Sequence, residues 1–88
     1  MKVIVSPKFQ KDLDKIDDEK LFDDVITFIE FLYTTSTLSE IPNLKKLKNF
    51  KNAFRARIGN YRVGILFEDN IIKLGRIAHR KNFYDIFP

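Results

Sequence analysis

The sequence predicts a single α+β domain spanning residues 1–88, in which an N-terminal strand and a helical hairpin precede a twisted antiparallel sheet. Three observations predict this class. A chain of 88 residues has room for one core, apolar residues recur at helical spacing in residues 1–40, and they alternate with polar residues further on. Apolar residues make up 44% of the chain and include nine Phe, so we expect a phenylalanine-rich core. Separate cofactor and substrate domains are excluded by the length.

The first third of the chain predicts one short strand and two helices. Residues 2–5 have a strand pattern that stops at Ser6-Pro7, where Ser6 can cap a helix and Pro7 takes the first helical position. Asp17-Asp18 offers the cap of a second helix, which we expect to run to about Tyr33. Apolar residues at helical spacing support both helices: Phe9, Leu13 and Ile16 in the first, and Leu21, Phe22, Val25, Ile26, Phe28, Ile29, Phe31 and Leu32 in the second.

Acidic residues gather at the start of the second predicted helix. Carboxylates in a first helical turn favour the helix dipole, and adjacent ones point apart, so we interpret the group as capping chemistry and not as a metal site. The sequence has no Cys and one His, which excludes thiolate metal sites and thiol nucleophiles. We therefore expect neither a metal nor another cofactor. The acidic residues are Asp17, Asp18, Glu19, Asp23 and Asp24.

The clearest pattern is a hairpin from Phe54 to Phe67 that turns at Gly59-Asn60. With a two-residue turn, Arg57 lies opposite Arg62, and Arg55 shares their face. Like charges directly across a strand pair cost about a few tenths to 1 kcal/mol. The sheet's own stability does not favour this arrangement, so we expect an anionic partner, although a solvated face balanced by the acidic helices is the alternative.

Asp69-Asn70 marks the next turn, and the segment from Ile71 to Ala78 predicts the last strand, so the sheet should be an antiparallel meander with the N-terminal strand beside it. An uninterrupted register would place Arg76 in the core. We therefore expect a bulge near Gly75 that returns Ile77 to the core and Arg76 to the surface. In the short tail that follows, aromatic and aliphatic side chains should anchor against the fold and leave three polar groups available; the anchors are Phe83, Ile86 and Phe87, and the available groups are His79, Arg80 and Tyr84.

Charge is distributed unevenly along the chain. Residues 1–40 carry five Lys or Arg and nine Asp or Glu, whereas residues 41–88 carry eleven and three. The second half should therefore attract a polyanion. Residues 43–52 predict a basic loop around three buried anchors, Leu44, Leu47 and Phe50, and its lysines, which a solvated face would also explain, are Lys45, Lys46, Lys48 and Lys51.

Five segments in this order resemble the RelE/ParE family of bacterial type II toxins across nearly the whole chain: the strand, the helical hairpin, Leu-Lys-Lys-Leu-Lys, Phe-Arg-Ala-Arg-Ile-Gly-Asn-Tyr-Arg-Val and His-Arg-Lys-Asn-Phe-Tyr. The Tyr-Arg-Val strand and the His-Arg-x-x-x-Tyr ending are the most specific parts. The resemblance implies a small α+β fold encoded beside a cognate antitoxin that wraps and silences it. In one branch of the family it implies cleavage of mRNA in the ribosomal A site.

The chemistry implied by that branch is metal-free attack of a ribose 2′-hydroxyl on the adjacent phosphate, which leaves a cyclic phosphate and a 5′-hydroxyl. Arg57 and Arg62 would stabilise the added charge of the phosphorane, because guanidinium groups stay protonated and offer several charge-assisted hydrogen bonds. The lysines would grip ribosomal RNA through phosphate contacts. Matching motifs place the site on Arg55, Arg57, Arg62, Arg80 and Tyr84.

Two side chains near the end of the chain have competing interpretations. His79 is the only side chain whose ordinary pKa lies near 7, which makes it a candidate general base, or it is a tail residue that hydrogen-bonds the backbone. Tyr84 can donate a proton to the leaving oxygen, stack on a base, or pack half-buried against the core.

Two other functions stay open from the sequence. One is a ParE-like inhibitor of DNA gyrase without nuclease activity, and the other is an attenuated homologue that mainly binds its antitoxin. The full set of arginines with Tyr84 favours the nuclease, whereas arginine at positions 55 and 57, where lysine is common in the best-known nucleases, is a departure, since arginine is a poor proton shuttle. The N-terminal apolar run has three residues and no run approaches the roughly 20 that span a membrane. We expect a soluble, cytoplasmic protein.

Overall fold

The computed structural model describes all 88 residues, which form a five-stranded sheet and three α-helices. The strand order across the sheet is β1-β5-β4-β3-β2. The α+β class predicted from the sequence is confirmed. Along the chain the elements are β1 (Lys2–Val5), α1 (Pro7–Asp14), α2 (Glu19–Thr34), a 3₁₀ turn (Leu38–Glu40), β2 (Leu44–Lys46), β3 (Ala53–Ile58), β4 (Tyr61–Glu68), β5 (Ile71–His79) and α3 (Phe83–Ile86).

Both long helices begin at the predicted caps. The Ser6 hydroxyl accepts a hydrogen bond from the Phe9 N–H (3.1 Å), with Pro7 as the first helical residue. The Asp18 carboxylate accepts one from the Leu21 N–H (3.1 Å), so at least this member of the acidic group is a helix cap. The two helices pack on one face of the sheet, and none of the helices is both long and apolar enough to cross a membrane.

The hairpin of β3 and β4 has the predicted register. Arg57 lies opposite Arg62 and Arg55 lies opposite Gly64. Gly59 in the turn has a φ of 56°, the left-handed conformation that a two-residue hairpin turn needs and that glycine adopts without steric cost. Because side chains alternate along a strand, the arginines all project to the face opposite the helices.

The register between β4 and β5 contains the predicted bulge. Ile65 lies opposite Leu74, but Gly64 lies opposite Arg76, so Gly75 is the extra residue. Ile77 is accordingly buried at 2% exposure. Arg76 leaves the core, and its side chain lies in a half-buried ion pair with a helix, which the sequence did not predict.

The two outer strands show what the sequence left unresolved. The N-terminal strand does lie beside the meander, but β1 runs parallel to β5, so the sheet is mixed. Residues 43–52 are not simply a loop, because Leu44–Lys46 pairs antiparallel with β3 and forms the other edge. Phe50, predicted to be a buried anchor, is 46% exposed. The strand β2 has only three residues, which are too few to show the alternation of a strand in the sequence.

The sheet has an apolar cluster on each face. The main cluster lies under the helical hairpin and includes Phe9, Val25, Leu32, Val63 and Ile65, all almost fully buried. A smaller cluster on the opposite face joins Phe83 and Phe87 of the tail to the sheet. The predicted anchoring of the tail by these two residues is confirmed. Its partners on the sheet side are Ala53, Leu47, Leu66 and Ala78.

An ion pair ties α1 to the edge of β5 that extends beyond β1. The Arg76 Nε and Nη2 donate to the two carboxylate oxygens of Asp12 (2.8 and 2.9 Å), and the Ile77 N–H donates to the same carboxylate (3.1 Å). Burial acts to raise the pKa of Asp12, but the hydrogen bonds from Arg76 and Ile77 and the nearby positive charges outweigh it and lower the pKa. The Asp12 carboxylate therefore accepts a hydrogen bond from the Ile77 N–H at the edge of β5 and also holds α1 against that edge.

Replacing Asp12 with Ala should lower the free energy of unfolding by about 1–3 kcal/mol at pH 7, because it strands Arg76 and the Ile77 N–H. The pKa of Asp12 is lowered in the folded state. Its contribution is therefore complete above the unfolded pKa of about 3.9 and is lost as the pH falls through the folded pKa. Urea denaturation at several pH values measures this. The control Asp14→Ala removes an exposed carboxylate bound only to Gln10; equal losses in both variants would contradict the role of Asp12.

Candidate nucleic-acid interface

The face of the sheet opposite the helices carries a group of polar side chains that we call the arginine cluster: Arg55, Arg57, Arg62, Arg80 and Tyr84. The pKa of Arg62 indicates which of these side chains lie near it. Burial lowers the pKa of Arg62, and the positive charges of Arg55 and Arg57 lower it further. Arg80 acts in the same direction and Tyr84 in the opposite one. The other four predicted site residues, from β3 and the segment after β5, therefore lie close enough to influence Arg62 on β4, and Arg57 lies directly opposite it.

No carboxylate neutralises the arginine cluster. The chain has two side-chain ion pairs, between Lys20 and Asp24 on α2 and between Arg76 and Asp12, and neither includes a member of the cluster. The positive charges that lower the pKa of Arg62 thus have no carboxylate beside them, and only Tyr84 acts in the opposite direction. A concentration of unpaired arginines that repel one another favours an anionic ligand.

Asn43 orients two of the arginines. The Nη1 of Arg55 donates to the Asn43 carbonyl oxygen (3.2 Å), and the Nη2 of Arg57 makes a longer contact of 3.4 Å with the Asn43 side-chain oxygen. Asn43 has a φ of 59°, in the left-handed region that Asn tolerates better than most residues. The Nε of Arg55 is buried without a partner. The sequence analysis missed Asn43, although an Asn after Pro42 at the start of a strand was the available indication.

Arg62 is held by the turn of its own hairpin. Its Nη1 donates to the carbonyl oxygens of Gly59 (3.1 Å) and Tyr61 (3.0 Å), and its other guanidinium N–H groups have no protein acceptor. The backbone N–H of Arg80 donates to the Asn60 carbonyl oxygen (2.8 Å), which ties the end of β5 to the same turn. The Gly59-Asn60 turn therefore positions Arg62 through its side chain and Arg80 through its backbone N–H.

Tyr84 is the outermost member of the arginine cluster. Its side chain belongs to a residue that is 62% exposed, and its ring meets the Phe83 ring edge-on at 5.1 Å. No protein group hydrogen-bonds its hydroxyl. The structure thus combines a ring packed on Phe83 with a hydroxyl that no protein group occupies.

His79 is not brought to the arginine cluster. It lies opposite Tyr61, whose neighbour Arg62 projects to the other face of the sheet. The two rings meet edge-on at 5.5 Å, and the His79 Nδ1 accepts a hydrogen bond from the Lys81 N–H (3.2 Å). Of the two interpretations in the sequence analysis, this geometry fits the one in which His79 bonds the backbone.

The four lysines of residues 45–51 occupy three different places. Lys45 lies opposite Arg55, so it extends the arginine cluster across β3 to the edge of the sheet. Lys46 lies opposite Phe54 and projects to the other face, whereas Lys48 and Lys51 sit in the connection to β3. All four are exposed and none forms an ion pair. They give one edge of the sheet a continuous positive charge.

The arginine cluster suits a phosphate group that gains negative charge during reaction. Guanidinium groups donate planar, charge-assisted hydrogen bonds to phosphate oxygens, and a phenol can donate a proton to a leaving oxygen. No group of three or more His, Cys, Asp or Glu side chains lies close enough together to hold a metal ion.

Comparison with known proteins gave matches along almost the whole chain. The family described as ParE toxin of type II toxin-antitoxin system, parDE, matches residues 3–84. Toxin RelE3 from Methanocaldococcus jannaschii is 35% identical over 89 residues, covering 100% of both chains. Solved structures match as well. The RelB-RelE antitoxin-toxin complex from Methanococcus jannaschii matches with a TM-score of 0.83 and 32% identity over 97% of this chain and 99% of that chain. The archaeal RelE-RelB complex from Pyrococcus horikoshii OT3 matches with a TM-score of 0.71 and 23% identity over 90% and 93%.

Proposed function

The chain belongs to the RelE/ParE family of type II toxin-antitoxin toxins, and on this premise we propose that it is a ribosome-dependent, metal-independent endoribonuclease that cleaves mRNA and inhibits translation. The observation that carries the proposal is the arginine cluster, in which four arginines without a carboxylate partner share one region with a tyrosine whose hydroxyl has no hydrogen-bond partner. We further propose that residues 1–88 act as one domain in the cytoplasm, where mRNA is translated.

The proposed reaction forms a bond from the ribose 2′-oxygen to phosphorus and breaks the bond from phosphorus to the 5′-oxygen. Arg57 and Arg62 stabilise the charge that the phosphorane gains, and Tyr84 donates a proton to the departing 5′-oxygen. The cluster has no group with an ordinary pKa near 7 to act as general base, so it supplies positioning, charge stabilisation and the Tyr84 proton, and the 2′-hydroxyl proton passes to water or to an RNA group. His79 stays outside this scheme because it lies on the other face.

Replacing Tyr84 with Phe separates proton donation from stacking, because only the hydroxyl is lost. If the hydroxyl donates the proton, cleavage of ribosome-bound mRNA should fall by about 10²- to 10⁴-fold while ribosome binding stays unchanged. Single-turnover cleavage and ribosome pelleting measure the two quantities. Tyr33→Phe is the matched control, since Tyr33 is also exposed, at 59%, but lies on α2. Full activity in Tyr84→Phe would leave stacking as its role.

We propose two classes of partner. The four lysines and the arginine cluster meet the phosphates of ribosomal RNA and mRNA without reading their sequence. A cognate antitoxin is the second partner, because the matched RelE structures contain RelB antitoxins. An extended segment of such a protein that carries acidic side chains would neutralise the arginine cluster.

A second candidate function is inhibition of DNA gyrase without nuclease activity, which the resemblance to the ParE branch implies; the family that matches residues 3–84 is described as ParE toxin. An attenuated homologue that mainly binds its antitoxin is the third. Gyrase supercoiling assays run beside mRNA cleavage on programmed ribosomes distinguish them: cleavage alone supports the nuclease, inhibition of supercoiling alone supports the gyrase inhibitor, and neither activity supports the attenuated homologue.

A further inference from the structure

The C-terminal tail docks on the same face of the sheet as the arginine cluster. Phe83 is fully buried and Phe87 is 5% exposed. Their rings lie 5.4 Å apart, and the Phe87 N–H donates to the Phe83 carbonyl oxygen (3.0 Å). Two buried aromatic anchors four positions apart therefore hold a helix of only four residues, α3, against the sheet.

The Phe87 ring packs directly on the backbone of Gly64, which has no side chain; we call this contact the seat of Phe87. A Cβ atom on Gly64 would lie 2.6 Å from both Cδ1 and Cγ of Phe87 and 2.7 Å from Cδ2, far inside any tolerated contact. Because the three ring carbons are almost equidistant, the hydrogen that takes the place of this Cβ points at the flat side of the ring. A Cβ on Gly75 would lie 3.1 Å from Cε1 of the ring and 3.5 Å from the Gly64 carbonyl oxygen. Gly64 has no positive φ, so the ring, and not the backbone conformation, requires glycine there.

No hydrogen bond holds the Tyr84 side chain in place. It lies between Phe83 and Phe87 in the sequence, its hydroxyl has no hydrogen-bond partner, and most of the residue is exposed. Its position beside Arg62 therefore depends on the anchors on either side of it. Gly64 stands two residues from Arg62 on β4 and faces the same side of the sheet.

We propose that Gly64 is a positioning residue: it seats the Phe87 ring, and this seat holds the Tyr84 hydroxyl beside Arg62. The catalytic consequence rests on the proposed function, whereas the seat is a property of the folded chain alone. A side chain at position 64 lifts Phe87 and moves Tyr84 with it. Displacing a catalytic group by about 1 Å can cost on the order of 100-fold in rate.

The seat can be tested without RNA. In the wild-type protein, the Gly64 Hα that faces the Phe87 ring should resonate upfield in the NMR spectrum, and Phe87→Leu should abolish this shift. In Gly64→Ala, exchange of the Phe87 amide hydrogen should accelerate towards the unprotected rate, while the amides of β3 and β4 stay protected. A Phe87 amide that is as well protected in Gly64→Ala as in the wild type would contradict the proposal that Gly64 seats Phe87.

The catalytic consequence is tested by rescue. Gly64→Ala should lower kcat by about 10- to 100-fold with an unchanged KM for the ribosome-mRNA complex. Adding Phe87→Leu should restore most of the loss, because leucine vacates the space that the alanine methyl enters. Gly75→Ala, whose Cβ would lie 3.1 Å from the nearest ring carbon instead of 2.6 Å, should have a smaller effect. A double variant as inactive as Gly64→Ala, with its tail docked again by NMR, would overturn the role of Gly64 in positioning.

A double-mutant cycle links the effect to Tyr84. If Gly64→Ala acts by misplacing the Tyr84 hydroxyl, Gly64→Ala should cost little further activity in the Tyr84→Phe background, where that hydroxyl is already absent. Fully multiplicative losses would show that Gly64 acts elsewhere and overturn the proposal. A wild-type protein that cuts no mRNA would overturn the proposed function and this catalytic consequence, whereas amide exchange would still decide whether Gly64 seats the tail.

Discussion

Replacing Arg57 and Arg62 together with alanine should abolish cleavage of ribosome-bound mRNA without unfolding the protein. Arg57 and Arg62 lie directly opposite each other, and neither has a carboxylate partner. In the proposed mechanism both stabilise the phosphorane. Loss of one preorganised donor to such a transition state typically costs about 10²- to 10³-fold in rate, so we expect a combined loss of at least about 10³-fold.

The fold should not lose stability in the same variant. Opposed like charges on neighbouring strands destabilise by about a few tenths to 1 kcal/mol, so their removal should leave the free energy of unfolding equal or slightly higher. Thermal unfolding measures this beside the cleavage assay. The control Arg76→Ala removes an arginine that is bound to Asp12, and should lower stability while the folded fraction keeps its activity. Full cleavage by the Arg57, Arg62 variant would contradict the account.

Binding to ribosomes should weaken steeply with salt. The proposed contact surface has four arginines and four lysines, none paired with a carboxylate. If about six of them meet phosphates, released counterions should lower the affinity on the order of 10³-fold between 50 and 200 mM salt. Sedimentation of the protein with ribosomes across this range measures the slope of log affinity against log salt.

Replacing Lys48 and Lys51 with alanine should reduce that slope by about 1.4 to 1.8, because each phosphate contact contributes about 0.7 to 0.9. The charge-matched control replaces Lys11 and Lys20, which lie on α1 and α2, and should leave the slope unchanged. Equal slopes for the wild type and the Lys48, Lys51 variant would remove these lysines from the ribosome contact.

Local rules were enough to predict the hairpin and the helix starts. The two-residue turn at Gly59-Asn60 fixes every pair of β3 and β4, because slipping by one residue would reverse both faces. Ser6 and Asp18 cap their helices through bonds that span three residues. The conflict between Arg76 and the core predicted the bulge. The same bulge carries His79 to the face of Ile77, two residues before it, so the position of His79 also follows from the register.

The contacts that complete the site depend on residues distant in sequence. Asp12 and Arg76 are 64 positions apart, and no local pattern indicates that α1 covers the free edge of β5. The sequence predicted that the tail anchors by Phe87, but not that Gly64 provides the seat. The Phe87 ring covers Gly64 on the face of the sheet that carries the arginine cluster. Asn43 orients Arg55 only because β2 forms an edge strand beside it.

Primer extension on a reporter mRNA, with and without bound ribosomes, tests the proposed nuclease most directly. The wild-type protein should produce new ends with a 5′-hydroxyl only when ribosomes are present, and the Arg57, Arg62 double alanine variant should produce none. Absence of new ends with folded wild-type protein in excess would contradict the nuclease. Inhibition of gyrase supercoiling by the same sample would then assign the arginine cluster to a different anionic or protein target.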